Sequence, residues 1–289
     1  MSACSNGWMV LFILSLNAFS VNASAQQVIR LAVPEDVLQD VKLFLNGRSI
    51  ESVQDYRSEY SRRDVVEVVL IQQALKLGGL DNAVELVSVP SYARGLREIQ
   101  QGRIDLSGTS VWRLDAMNYG LQFSPCLICP GEFETGFYTR EQQLLRYSVR
   151  DKEDLKALTV VSSRQWKRDW VILNQLAFKE VIDVPNWVAM VRLLTRGRVD
   201  LVMAPFQPGE DMSFRISNTV RLMPLPGIKV AFPGSRHIAI APQQPHSLLL
   251  KRALSSGLQI LQEQRVIRQA YEESGFFNTQ VKDWKQIND

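Results

Sequence analysis

Apolar and polar positions along the chain fall into two passages written to one plan. Val89–Leu106 (VPSYARGLREIQQGRIDL) and Val184–Leu201 (VPNWVAMVRLLTRGRVDL) align without a gap at an offset of 95 residues. Both open Val-Pro, carry an Arg at the same place (Arg97, Arg192) and close on Gly-Arg-x-Asp-Leu. A β-branched run precedes each (VELVSV; VIDV) and stops at the Pro, which has no N–H for a ladder. Apolar residues at helical spacing follow: Leu96 and Ile99 in one copy, Val188, Val191 and Leu194 in the other. Gly102 and Gly197 then stand where a left-handed turn closes a helix, and new apolar runs (IDLSGTSV; VDLVMAPF) begin at once. Each copy therefore predicts strand, helix, strand. Such crossovers build parallel sheets that bind ligands beyond the carboxyl ends of their strands, so two copies predict two α/β lobes facing a cleft.

The rest of the pattern supplies further elements. Val28–Val33 predicts a strand ended by Pro34, 36–45 a helix, and 65–77 a longer helix capped by Ser61 or Asp64 and closed at Gly78-Gly79. Leu121–Pro125, 137–139 and 159–162 read as strands, and 151–158 as a short helix. Ser162-Ser163-Arg164 is expected to open a helix running to Lys179. Strands are predicted at 222–226, 228–232 and 237–241, then helices at 247–264 and 266–273.

A hydrophobic content of 46% with 22% charged residues belongs to a folded chain rather than a disordered one. The net charge of +3 is spread without a polybasic run, so nucleic acid is not expected as a partner. Residues 1–25 have the form of an export signal, with the apolar stretch WMVLFILSL and Ala23-Ser24-Ala25 before Gln26, although no Lys or Arg precedes the stretch. A periplasmic protein cleaved after Ala25 is the expectation. Cys126 and Cys129 form a C-x-x-C motif. If extended, their Cα atoms would lie about 10 Å apart, too far to bridge, whereas a local turn would allow a disulfide. With two histidines in all, a zinc site has little to build on, and no metal or other cofactor is expected.

Gly102-Arg103-Ile104-Asp105, Arg113, Phe123-Ser124-Pro125, the second Gly197-Arg198-Val199-Asp200 and the HIAIA strand before C-terminal helices resemble the family 3 solute-binding proteins, the type II periplasmic receptors of amino-acid uptake. The resemblance implies an α/β, two-lobed fold, each lobe a mostly parallel sheet flanked by helices, joined by a two-connection hinge. By the same analogy 26–133 and 227–289 form the first lobe and 134–226 the second, with the hinge near 130–136 and 226–234. It implies a small-molecule ligand, a membrane transporter of the ABC type or a sensor as partner, and a monomer. Departures are visible. Asp105 to Arg113 is shorter than the usual spacing, Cys126 stands where the family has an aromatic, and Met203–Gln207 carries no acid to hold an ammonium group. The expected ligand is a small polar, carboxylate-bearing organic molecule, anionic or zwitterionic, and a carboxylate lacking an α-amino group is expected to bind no worse than its amino-acid counterpart.

Candidate ligand contacts are Tyr92, Thr109, Ser110, Trp112, Arg113, Ser162, Ser163, Arg164, Trp187 and Phe206, all near expected strand ends. Arg113 offers a planar fork for a carboxylate, against a bland role as a surface Arg paired with Asp115. The serines at 162 and 163 suit an anion at a helix start, or simple capping. The aromatics suit an apolar wall, or packing. Asp105 and Asp200 are expected to be structural. No carboxylate–His pair or nucleophile elbow is visible, so catalysis is not expected; a dehydratase-like enzyme on this fold and a module that senses or binds a partner without a transporter are the rivals.

Overall fold

The computed structural model describes Met1 and residues 28–288. The expected export signal and its cleavage point lie outside the described residues. In chain order the first part runs β1 (Ile29–Pro34), α1 (Glu35–Leu45), α2 (Arg63–Leu77), β2 (Val84–Val89), α3 (Tyr92–Gln100), β3 (Leu106–Ser107), β4 (Val111–Trp112), α4 (Arg113–Asn118) and β5 (Gln122–Ile128). The middle runs β6 (Phe133–Arg140), β7 (Thr159–Ser162), α5 (Lys167–Gln175), β8 (Glu180–Asp183), α6 (Trp187–Thr195), β9 (Leu201–Pro205), β10 (Phe214–Arg215) and β11 (Arg221–Pro224). The chain ends with β12 (Ile228–Phe232), β13 (Arg236–Ile240), α7 (Ser247–Glu263), α8 (Val266–Glu273) and β14 (Lys285–Gln286). No described helix is long and apolar enough to cross a membrane.

Two sheets result. The first has the order β2-β1-β3-β13-β4, with β5 beside β13; the second has β10-β11-β6-β9-β7-β8, with β12 beside β6 and β14 beside β12. The two repeat copies occupy equivalent places. β1 lies between β2 and β3, all parallel, as β7 lies between β8 and β9. Their helices start alike, Ser91 accepting from the Arg94 N–H and Asn186 from the Ala189 N–H. Gly102 and Gly197 both have positive φ (69° and 66°), as their closing turns require. The shared Asp does the same work twice. An Asp105 carboxylate oxygen accepts the Arg30 N–H at 2.8 Å while its own N–H returns to the Arg30 carbonyl; Asp200 does both with Thr159. Each thus fastens the start of the middle strand of its parallel trio.

Some elements differ from the pattern. Arg62, not Ser61 or Asp64, precedes α2, and Ser61 instead donates to the Tyr56 carbonyl at 2.6 Å. The run IDLSGTSV splits into β3 and β4, because β13 enters between them antiparallel. The helix expected from Ser162 to Lys179 is shortened at both ends. Trp166 (ψ 69°) delays its start to Lys167, and Ala177 takes positive φ (54°) beyond its end. Residues 227–289, expected with the first sheet, divide: β12 pairs with β6, and β14 with β12. The residues of β12 (IKVAF) are all buried, so the strand is core rather than connection.

The chain passes between the sheets at 129–132, between β5 and β6, and at 233–235, between β12 and β13. A further passage follows α8, where Lys229 from β12 donates to the Val281 carbonyl at 2.9 Å and Asn288 brackets the Ala231 backbone. Cys126 and Cys129 are bridged, their Cα atoms 5.4 Å apart. Two register shifts against β13 gather this part of β5 into the local turn that the bridge needs.

α2 and α7 cross at backbone contact. A Cβ on Gly257 would lie 1.8 Å from the Ala74 carbonyl oxygen, and one on Gly78 2.0 Å from that of Ala253. Neither obstacle is a flexible side-chain end, so the helices must part to admit a methyl. Gly257→Ala is expected to cost at least ~3 kcal/mol in urea unfolding, the upper part of the overpacking range. Ser256→Ala, on the exposed side of the same turn, should change stability by less than ~0.5 kcal/mol.

Candidate functional site: a cleft between the lobes

Glu67 on α2 is fully buried and surrounded by donors. It accepts from the Ser110 N–H (2.7 Å), the Ser110 hydroxyl (2.6 Å), Arg63 (2.9 and 3.0 Å) and the Tyr271 hydroxyl on α8 (2.9 Å). Ser110, in the turn between β3 and β4, then holds a second cation: its hydroxyl accepts from Arg236 Nε at 2.9 Å and its carbonyl from the other arm of that guanidinium. Arg63 also pairs with Asp64, which Arg62 reaches at 3.0 Å. Burial raises the Asp64 carboxyl, but Arg63, Arg62 and Arg236 outweigh it and hold the pKa low.

Arg236, at the start of β13, is buried and lies over the Trp112 ring (4.8 Å to its centroid) and the Phe133 ring (5.5 Å). Trp112 in turn stacks on Phe232 at 5.3 Å. From the second lobe, Arg168 on α5 approaches the same indole at 5.6 Å. Both reach the passage at 233–235: a Cβ at Gly234 would stand 3.1 Å from Trp112 and 3.6 Å from Arg168. Among the described residues neither Arg168 nor Arg236 is ion-paired with a carboxylate. Beside them stands Asp169, whose pKa burial pushes up to about 7 although Arg236 draws it down.

The sequence-predicted residues divide over this geometry. Thr109, Ser110, Trp112 and Tyr92 gather at one place. The Tyr92 hydroxyl accepts the Trp112 N–H at 3.1 Å and donates to Asp115 at 2.9 Å. Arg113 lies next to them in sequence, but its exposed guanidinium rests over Phe123 (5.6 Å), outside that cluster. Ser162 ends β7 and Ser163 follows it; both are buried and precede the helix by several residues, so they do not cap it. Arg164 receives Asp183 at its N–H (2.9 Å) and lies over Trp170. Trp187 packs on Phe214 and Phe206 on Trp284, both within the second lobe. Arg236, Arg168, Asp169 and Glu67 were missed. A lone Glu within an apolar helix run (DVVEVVLIQQAL) and an Arg opening a buried strand (RHIAIA) were the available signals.

Other features belong elsewhere. A cavity of about 20 Å³ under Tyr92, beside Ala32, Ser107 and Thr109, is left at the strand ends. A surface hollow of about 790 Å³ runs along β2 and α3, away from the cleft, where Arg30–Glu85 and Arg94–Glu98 already satisfy each other. His237 Nδ1 meets the Ser124 carbonyl at 2.8 Å, which places the ring proton there and leaves Nε2 to accept from the Ser235 hydroxyl at 2.8 Å. Among the described residues no group of His, Cys, Asp and Glu could hold a metal ion.

Two sheets with matching parallel cores, joined by the crossings at 129–132 and 233–235, have the two-lobed, type II periplasmic-binding-protein fold. Solved structures agree. The chain is similar to an amino acid ABC transporter substrate-binding protein from Streptococcus pneumoniae bound to L-arginine (17% identity, 86% of this chain and 96% of that one, TM-score 0.55). It is similar to an ancestral amino-acid-binding protein described as a precursor of cyclohexadienyl dehydratase (13%, 86% and 95%, TM-score 0.56). A periplasmic domain of BvgS from Bordetella pertussis is a third (15%, 85% and 92%, TM-score 0.55). No protein-family model and no curated protein sequence matches the chain.

Two predictions follow from the buried charges. Glu67→Ala removes the acceptor of donors from three elements and leaves Arg63 with Asp64 alone, and is expected to cost ~3–5 kcal/mol by urea unfolding. Between 3.8, the ordinary value for Asp169, and about 7, the folded chain holds one more proton on this residue than the unfolded chain. Its contribution to stability therefore falls as pH rises across that window and stays low above it. The difference in unfolding free energy between wild type and Asp169→Asn, measured from pH 4 to 8, should follow that course.

Proposed function

We propose that the chain is a periplasmic solute receptor whose lobes close on a small, carboxylate-bearing organic molecule, for delivery to a membrane transporter of the ABC type. The observation that carries this reading is the meeting at Trp112, where a cation from each lobe converges on one aromatic wall. The lobes of this proposal are 28–132 with 233–273, and 133–232 with the C-terminal segment. Export rests on the apolar N-terminal stretch and Ala-Ser-Ala. The fold's solved examples include substrate-binding proteins of amino acid ABC transporters, which supports the transporter as partner. The receptor acts as a monomer and requires no cofactor.

The rival, an enzyme on this fold, has one observation in its favour: the Ser235–His237 contact with its tautomer fixed by Ser124. It lacks a set of donors around a reacting oxygen, and burial lowers the pKa of His237, weakening the ring as a base.

A thermal-shift screen over amino acids, dicarboxylates, polyamines and short peptides tests the receptor reading. At a hundredfold excess over Kd a bound solute stabilises the folded chain by ~2.7 kcal/mol, which the melting temperature registers. An organic acid is expected to do so and to be recovered unchanged. A screen without a stabilising solute, or one in which the solute is consumed, defeats the reading.

A further inference from the structure

We infer that Arg236 and Arg168, whose guanidinium carbons lie 4.8 and 5.6 Å from the Trp112 ring centroid, form the seat for the acid group of an organic carboxylate that carries no amine. The inference rests on the receptor reading and names its anion subsite.

Arg236 meets the requirements of such a group. It is buried, it lacks a carboxylate partner, and two of its nitrogens are fixed by Ser110, so the rest of the planar fork is held in one orientation. A carboxylate matches that fork, and the Trp112 face beneath it keeps the guanidinium from turning away. Ser110 is itself fixed by Glu67, so the subsite stands on a rigid base. Arg168 comes from the other lobe and is only partly buried. An anion that both arginines hold would therefore link ligand to closure, since it joins groups on separate bodies. Tyr92 and Trp112 wall the place, which suits an organic body beside the acid group better than an inorganic ion.

The surroundings decide against an amine. Arg236 and Arg168 are two cations, and an ammonium group among them would be a third. Tyr92 of α3 and Arg63, Asp64 and Glu67 of α2 also act on Arg236; Asp169, which follows Arg168 on its own helix, faces Arg236 from α5. Burial leaves it about half protonated near pH 7, so it is a poor holder of ammonium and a tolerable neighbour of a carboxylate.

The test is calorimetry with matched probes: glutamate, 2-oxoglutarate, glutarate, phenylacetate and inorganic phosphate, on wild type, Arg168→Gln, Arg236→Lys, Asp169→Asn, Arg113→Gln and Arg94→Gln. An amine-free acid should bind at least as tightly as glutamate and more tightly than phosphate. Arg168→Gln and Arg236→Lys should each weaken it tenfold or more, while Arg94→Gln, which lies in the surface hollow along β2 and α3 and pairs with Glu98, leaves it unchanged. Because Arg236→Lys alters a buried site, Arg168→Gln in the half-exposed position carries the result if that variant fails to fold. In wild type the affinity should fall as pH rises through about 7 and Asp169 ionises, by at most tenfold per pH unit, and Asp169→Asn should abolish that slope. Affinity that rises with pH, a requirement for the amine, or tighter phosphate binding overturns the inference. So does a loss confined to Arg113→Gln, or wild-type affinity in Arg168→Gln; both leave the receptor reading standing. If none of the probes binds while another class of solute does, the seat is again overturned alone, and only a failure of all solutes removes both.

Discussion

A carboxylate buried without water must be surrounded by donors, and Glu67 makes that demand at the point where three elements meet. Its partners are the turn between β3 and β4, the preceding turn of α2, and α8 from the far end of the chain. Each would be free to shift if the charge were absent. Because it is present, Ser110 has one place, and Arg236, Trp112 and Tyr92 take theirs from Ser110 and its strand. The face of the first lobe that meets Arg168 is thus set by an ion buried behind it. Charge here fixes arrangement rather than adding stability in proportion to its strength.

How much of this could be read from the chain depends on the range of the interactions. The duplicated unit was legible because its signals are local: a Pro that stops a strand, a helical run of apolar residues, a Gly that turns out of the helix. α8 fell within its expected bounds for the same reason. The Asp in each copy could be set aside as structural from its position alone, and the structure supplies the bonds. Thr109, Ser110 and Trp112 were chosen by proximity to a strand end, and the structure gathers them with Tyr92. Arg113 was favoured over Arg236 because it follows that same strand end, whereas Arg236 reaches Ser110 from 126 residues further on. No local pattern reports such a pairing.

The disagreements in the second lobe have a similar origin. Two serines before a run of aromatic and apolar residues look like a helix start, yet the backbone first completes a turn in which Arg164 meets Asp183 on the neighbouring strand. That delay is what places Arg168 and Asp169, rather than the serines, against the first lobe. β12 reads as a connector beside Pro226-Gly227, but its five buried residues complete a sheet. The bridge between Cys126 and Cys129 depends on two register shifts that only the partner strand reveals.

The passage after α8 bears on the mechanics of the two bodies. Bodies joined by two neighbouring strands can bend about the line through them and can also twist along it. The C-terminal segment leaves α8 on one body and forms β14 on the other, where Lys229 holds its Val281 and Lys282 carbonyls and its own Asn288 brackets Ala231. A third connection beside two strands opposes torsion, because a twist would have to stretch or shear it. Any approach of the two halves would then be narrowed toward bending.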